Sequence, residues 1–378
     1  MKTTLGWLET HLDTAAPVAE IVARLVMLGH DVEAVENRAA GLEPFTVAAV
    51  VSAAPHPNAD RLKLCVVDTG AGQVQIVCGA PNARAGIKGV FARPGTVIPR
   101  SGAVLKESMI RGVVSQGMLC SADELGLGDD HDGIIEAPPD AVVGAKYAEL
   151  IGLADPVIDV KVTPNRADCL GVHGIARDLA AAGLGRLKPL DTTPVEGRFR
   201  SSIAIDIADR TACPLFLGRH LRGLSNGPSP DWLRCRLEAI GLRPISTLVD
   251  ITNFLTFDVN RPLHVFDAGR LVGDLVVRLA REGESLLALN GQEYRLDPQV
   301  AVIADRRGVQ SLGGVIGGEP TGCTAATTEV FVEAALFDPV RTAATGRRLG
   351  IASDARYRFE RGLDPAFVKD GIEIATRL

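Results

Sequence analysis

Apolar and polar positions alternate along this chain with two different periods. In "PVAEIVARLVMLGHDVEAVE", Val18, Ile21, Val22, Leu25 and Val26 share one face of a 3.6-residue repeat and predict a helix. Pro17 suits its first turn and Gly29 its stop, and "HDVEAV" follows as a short strand. From Phe45 to about Cys120 the texture changes to short apolar runs: "FTVAAVVSA", "LKLCVVDTG", "VQIVCGA", "KGVFARPG" and "GVVSQGMLCS". Turn-rich stretches such as "PHPNAD" and "RPGTVIPRSG" separate them, so the stretch predicts a small barrel or sandwich.

After an acidic loop, "GDDHDGIIEAPPD", the α/β texture returns. A strand is predicted at 157–162, then a helix from about Val172 to Ala182 ended by Gly183. If that helix packs on the opening one, residues 1–39 and 152–192 form a split small α/β domain with residues 40–151 inserted. "LKPLDTTPVEGRFRSS" reads as a linker. From 200 to 378 a larger α/β unit follows, with strands in "IAIDIAD" and "LFLGRHLRGL", a helix at 229–240, and strands near 276, 300 and 330. "PAFVKDGIEIATRL" predicts an amphipathic helix without a cap or glycine stop, so the chain is expected to be part of something longer.

Composition narrows the chemistry. The 378 residues suit two or three domains, and an apolar content of 46% supports cores built with few aromatics, 4%. A net charge of −6 argues against a general nucleic-acid binder, so any RNA contact has to be local. One local excess exists: residues 45–126 hold eight Lys or Arg (Arg61, Lys63, Arg84, Lys88, Arg93, Arg100, Lys106, Arg111) against five acids. The seven cysteines are scattered, with no CxxC, and no apolar run reaches about 18 residues; a reducing, cytoplasmic setting without a membrane is expected. No HExxH or Cys/His cluster suggests zinc, and no GxSxG suggests a hydrolase serine.

"GGVIGGEP", residues 313–320, places Gly313, Gly314, Gly317 and Gly318 together. A phosphate loop is excluded, because Glu319 stands where its lysine belongs and Pro320 where its hydroxyl belongs. Close backbone approach, to a ligand or to another segment, is what such glycines allow. Glu319 itself reads as a surface or turn residue.

"PHPNADRLKLCVVDTG", "QIVCGAPNARAG" and "RGVVSQGMLCSADELGL", in that order, resemble the EMAP-like tRNA-binding OB domain found in bacterial phenylalanyl-tRNA synthetase β chains. The flanks resemble the same family. "MKTTLGWLETHL" and "TPNRADCLGVHGIARDLAA" are similar to its split first domain; "RPISTLVDITNFLTFDVNRPLHVFD" and "SDARYRFERGLDP" are similar to its B3/B4 editing domain. The resemblance implies an α+β multidomain chain: a five-stranded OB barrel inserted in a split α/β domain, then an editing domain cut short at its C-terminus. It also implies an N-terminal part of the β subunit, whose later domains lie beyond residue 378. ATP and Mg²⁺ would serve the whole enzyme outside this part, which itself would hold no cofactor or metal. The implied partners are the α subunit, in an α2β2 heterotetramer, and tRNA(Phe).

The implied chemistry is correction of an error. A hydrophobic pocket rejects an added hydroxyl by only about 10²-fold, so tyrosine slips into a phenylalanine site and a second site must remove it. By resemblance, Glu333 would accept the tyrosine hydroxyl as an ionised carboxylate, and His264, Arg243, Thr252 and Asn253 would line the pocket. From the residues alone, Glu333 reads as a solvated face, His264 as a packed core histidine, and Thr252 and Asn253 as caps or turns. Gly313 and Gly317, with Gly314 and Gly318, would leave room for the aromatic ring; Gly313, where alanine is common, would make the pocket roomier. No nucleophile is evident, so a positioned water is expected to attack the ester. Arg61, Lys63, Lys88, Arg93 and Arg111 are the candidate phosphate contacts, while Asn58 and Asp60 read as turn residues. With only Phe45 and Phe91 in the barrel, binding there would be electrostatic and salt-sensitive. The alternatives are a non-catalytic OB-fold tRNA-binding module and a free-standing aminoacyl-tRNA deacylase.

Overall fold

The computed structural model describes residues 1–378. The chain forms two compact units, one of residues 36–156 and one of residues 1–35 together with 157–378. It is a multidomain α+β protein, and no helix is long and apolar enough to cross a membrane.

In the 36–156 unit the strand Thr46–His56 is central. It pairs antiparallel with Ala59–Asp68 on one side and Lys88–Ala92 on the other. Gln73–Cys78 extends the first edge; Met118–Leu119 and Glu136–Ala137 both pair with Lys88–Ala92. The two ends of this path meet through single bonds rather than a ladder: Gln116 N–H donates to the Gln75 carbonyl at 2.8 Å, and Val77 N–H to Ser115 Oγ at 3.1 Å. The sheet is therefore open where a closed barrel was expected. Period-two alternation buries Cys65 and Val67 of one strand and Ile76 and Cys78 of the next in the same core. A tight hairpin joins Ser108–Ile110 to Val113–Ser115, with Arg111 and Gly112 both at positive φ, 49° and 86°.

In the other unit, Val157–Lys161 lies between Lys2–Thr4 and Asp31–Glu36. The helices Val18–Met27 and Val172–Ala181 cover this sheet through Ile21, Leu25, Ile175 and Leu179. The same apolar cluster continues into Leu233 and Leu237 of the helix Asp231–Ala239, and Phe254 and Leu255 of the helix Thr247–Asp258. The stretch read as a linker, residues 187–202, lies within this unit.

Two sheets build the rest. One runs Ile205–Ile207, Leu275–Leu279, Ala301–Ala304, Val309–Leu312 and Ile316–Gly317, its first pair parallel. The other has Glu329–Leu336 between Leu215–Arg222 and His264–Asp267, antiparallel to both. The helix Phe367–Arg377 packs on this second sheet through Val368 and Ile372.

Candidate functional site

The glycine stretch is a hairpin. Ser311 faces Gly317 and Leu312 faces Ile316, and Gly314 between them holds φ 69°, which favours glycine. What the absent side chains make room for is the protein itself. A Cβ at Gly317 would stand 2.2 Å from His264 Cε1, one at Gly313 2.5 Å from Phe337 Cε1, and one at Gly318 2.6 Å from the Gln310 carbonyl oxygen. The expectation that Gly313 and Gly317 leave space for a ligand ring is thus corrected. The rings they admit are those of Phe337 and His264, because these side chains project from strand and loop directly across the hairpin. Glu319 is exposed at a short 3-10 turn, as the sequence suggested.

His264 and Glu333 are directly opposed in the antiparallel ladder, with Gly218 on the far side of Glu333. Residues directly opposite have Cβ atoms about 4.5–5.5 Å apart. Strand alternation sets Glu333 on the same face as Phe331 and Ala335, in a cluster that includes Phe266 and Phe337. It is only 5% exposed, and no hydrogen-bond donor reaches its carboxyl. Burial in this apolar setting raises its pKa from 4.5 to about 8, so at neutral pH it is held mainly as the neutral acid. The expected ionised carboxylate is corrected accordingly. His264 is pushed the other way by burial, to about 4, and stays uncharged; its Nε2 is buried without a partner.

Glu333, His264, Gly314, Gly317, Ala355 and Phe359 border a cavity of about 60 Å³. A liquid water takes about 30 Å³, whereas ligand pockets run to about 300–1,000 Å³. The cavity holds water as it stands and admits an aromatic ring only after His264 or Phe359 moves. Gly313 and Gly318 do not border it, and neither do Arg243, Thr252 and Asn253. Thr252 and Asn253 are mid-helix in Thr247–Asp258, not caps or turns, and Thr252 Oγ1 donates to the Val249 carbonyl at 2.7 Å. Arg243 lies exposed in the loop before that helix, with no bonded partner. Ala355 and Phe359 were not foreseen; they come from the helix Asp354–Phe359, capped by Ser353. The signal was present in "SDARYRF", a serine cap before an apolar-spaced run.

Residues 212–378 match the B3/4 domain family, and residues 45–146 match the family of putative tRNA binding domains. Over its whole length the chain is 57% identical to the phenylalanine–tRNA ligase beta subunit of Bradyrhizobium diazoefficiens, covering 47% of that protein. It is 58% identical, again over its whole length, to the beta subunit of Paramagnetospirillum magneticum, covering 48%. The chain belongs to the family of phenylalanine–tRNA ligase beta subunits. It spans about half the length of these curated relatives, 47–48%. An N-terminal fragment of the phenylalanyl-tRNA synthetase beta-subunit from Pyrococcus horikoshii aligns over 52% of this chain and 62% of that one, at 15% identity and a TM-score of 0.29.

Within the segment that matches the tRNA-binding model, the five candidate cations differ in availability. Lys63 Nζ donates to the carbonyls of Pro81 at 2.9 Å and Ala83 at 2.6 Å; Lys88 Nζ donates to those of Pro139 at 2.5 Å and Ala141 at 2.6 Å. Both are half-buried clamps with little left for a phosphate. Arg61, Arg93 and Arg111 are exposed, and their guanidiniums have no partner within the chain. Arg93 also borders an open cavity of about 710 Å³ with Lys146, Gln73 and Gln116. Asn58 bonds the Arg111 carbonyl at 3.0 Å, a turn-fixing role. His30, Cys169 and Asp178 form the cluster with metal-ligand spacing. Arg166 Nη2 already stands 2.5 Å from Asp178 Oδ2 and 2.9 Å from Cys169 Sγ, so a guanidinium fills the place of a cation, and the donor set is not one suited to Mg²⁺.

Proposed function

We propose that this chain is the tRNA-holding and proofreading part of a phenylalanine–tRNA ligase: it supports ATP-dependent charging of tRNA(Phe) by an α subunit and hydrolyses mischarged Tyr-tRNA(Phe). The observation that carries this reading is a buried imidazole nitrogen without a partner, beside a carboxyl that makes no hydrogen bond within the chain, both at one cavity. Buried polar groups are almost always paired, so an unpartnered His264 Nε2 next to a carboxyl that bonds nothing in the chain favours a ligand that completes them. A protonated Glu333 donates its O–H to the tyrosine hydroxyl and accepts that hydroxyl's proton on its other oxygen. Phenylalanine leaves the same acid unpaired, at a cost of about 1–3 kcal/mol. Neutral His264 then offers Nε2 to orient the attacking water, its ring swinging from Gly317 as the site opens.

In this reading residues 40–151 are an OB fold inserted in the split domain 1–39 and 152–192, with editing in 200–378. Arg61, Arg93 and Arg111 are its phosphate contacts. ATP and Mg²⁺ act elsewhere in an α2β2 assembly in the cytoplasm. The second reading, a binding module without chemistry, is favoured by the small size of the cavity. One assay separates them. In the full heterotetramer, Glu333→Ala should cut the preference for Tyr-tRNA(Phe) over Phe-tRNA(Phe) deacylation by about 5–150-fold, the equivalent of ~1–3 kcal/mol. An unchanged preference removes Glu333 from this role; absence of deacylation in the wild type supports the binding module.

A further inference from the structure

Arg261 is 1% exposed, yet it pairs with no carboxylate. Its Nη1 donates to the Ala335 carbonyl at 3.0 Å and its Nη2 to the Asp364 carbonyl at 3.1 Å, while Nε has no partner. Arg358, equally buried at 2%, has Asp354 as a counter-ion. The Arg261 stem is pinned: a Cβ at Gly371 would stand 2.6 Å from its Cγ. A buried cation with no carboxylate bonded to it, only Asp364 nearby, is costly to keep. Here it lies in the wall of a cavity of about 420 Å³, shared with Arg177, Asp168, Asp364, Asn260 and Phe367. That volume falls within the ligand-pocket range of about 300–1,000 Å³.

The remaining groups define what would fit. Arg177 donates through Nη2 alone, to Asp168, Cys169 and Asp178, leaving Nη1 and Nε unused. Asp364 accepts the Ala366 N–H on one carboxylate oxygen at 2.9 Å and nothing on the other. Asn260 holds φ 55°, uncommon outside glycine, and its Oδ1 is buried and unpartnered while Nδ2 bonds the Ala167 carbonyl. Two guanidiniums and two carboxylates leave this wall without net charge, which suits a zwitterion better than a phosphate. We propose that the cavity binds a free α-amino acid. The ligand carboxylate meets Arg261 and Arg177, its ammonium meets Asp364 and Asn260 Oδ1, and its side chain lies against Phe367 and Val259. This site shares no residue with the cavity bordered by the glycine hairpin, His264 and Glu333.

The test is thermal melting and calorimetry of the chain with L-phenylalanine, L-tyrosine, tyramine, 3-(4-hydroxyphenyl)propionate and inorganic phosphate. Both amino acids should bind and raise the Tm by several degrees, whereas the three probes lacking one or both charges of the zwitterion should not. Arg261→Met should abolish the shift, which is read against that variant's own ligand-free Tm because the Ala335 and Asp364 carbonyls lose their donors when the buried charge is removed. Exposed Arg177→Gln should weaken binding about tenfold without unfolding the chain. Glu333→Ala should leave it unchanged. Absence of any amino-acid shift at millimolar ligand, an equal shift with phosphate, retention in Arg261→Met, or loss in Glu333→Ala would each overturn the proposal.

Discussion

Lys63 and Glu333, one in each compact unit, are both drawn off the surface, and they fare differently. Lys63 spends its ammonium on two loop carbonyls, as Lys88 does, so each cation closes a turn over its own sheet. Glu333 and its neighbour His264 close nothing. They are packed among Phe266, Phe331 and Phe337, and no protein donor or acceptor meets the Glu333 carboxyl or His264 Nε2. The comparison separates polar groups that serve the fold from polar groups that the fold tolerates. Only the second kind asks for a ligand.

The largest effect should come from removing the charge that burial resists. The folded chain holds the Glu333 proton more tightly than the unfolded one, since its pKa rises from 4.5 to about 8. This contribution to stability is complete below pH 4.5 and is lost as pH rises towards 8, by an amount on the order of 4 kcal/mol. His264 works in the opposite sense. Its pKa falls from 6.5 to about 4, so its contribution is complete above pH 6.5 and is lost as pH falls towards 4. Glu333→Gln should therefore flatten the alkaline limb of a stability-against-pH curve from urea melts and leave the acid limb in place. An unchanged alkaline limb would mean that Glu333 is solvated and that the contrast with Lys63 is false.

Next in size is the packing that closes the cavity. Gly317→Ala puts a methyl group where the His264 ring lies, and overpacking of a core costs about 1–3 kcal/mol. If His264 is the movable wall, His264→Ala should restore most of that loss in the double variant, because the methyl group then meets empty space. Additive losses in the pair would show that the strain is absorbed elsewhere.

The same contrast explains how much could be read ahead of the structure. The strands of the 36–156 unit were legible because period-two alternation and turn residues are local signals: Lys88–Ala92 falls within an expected run, and Gln73–Cys78 begins one residue before another. The helix Thr247–Asp258 was not legible: "TLVDITNFLTFD" is rich in β-branched and aromatic residues, and it is helical because Phe254 and Leu255 reach a core begun by Trp7 and Leu8. The pairing of Glu333 with His264 could be suspected only through resemblance, since it joins residues far apart in sequence. That Gly313 and Gly317 serve Phe337 and His264, and that Lys63 and Lys88 are clamps, required knowing which atoms arrive from distant segments.

The smallest effect tests the other side of the comparison. Arg93 is exposed and without a partner beside an open cavity, whereas Lys63 holds two carbonyls. Arg93→Ala should change stability by less than about 0.5 kcal/mol, as substitutions at unpartnered surface sites do. Lys63→Ala should lower it by about 1–3 kcal/mol, because the Pro81 and Ala83 carbonyls lose their donor and the half-buried stem its packing. RNA binding should respond in the reverse order. Each phosphate contact removed lowers the slope of log affinity against log salt by about 0.7–0.9, and it should do so for Arg93→Ala but not for Lys63→Ala. A salt titration of tRNA binding with both variants reads this directly. If Lys63→Ala alone changes the slope, the clamp geometry does not persist in the RNA-bound state, and Lys63 belongs with Glu333 among the groups held for a ligand.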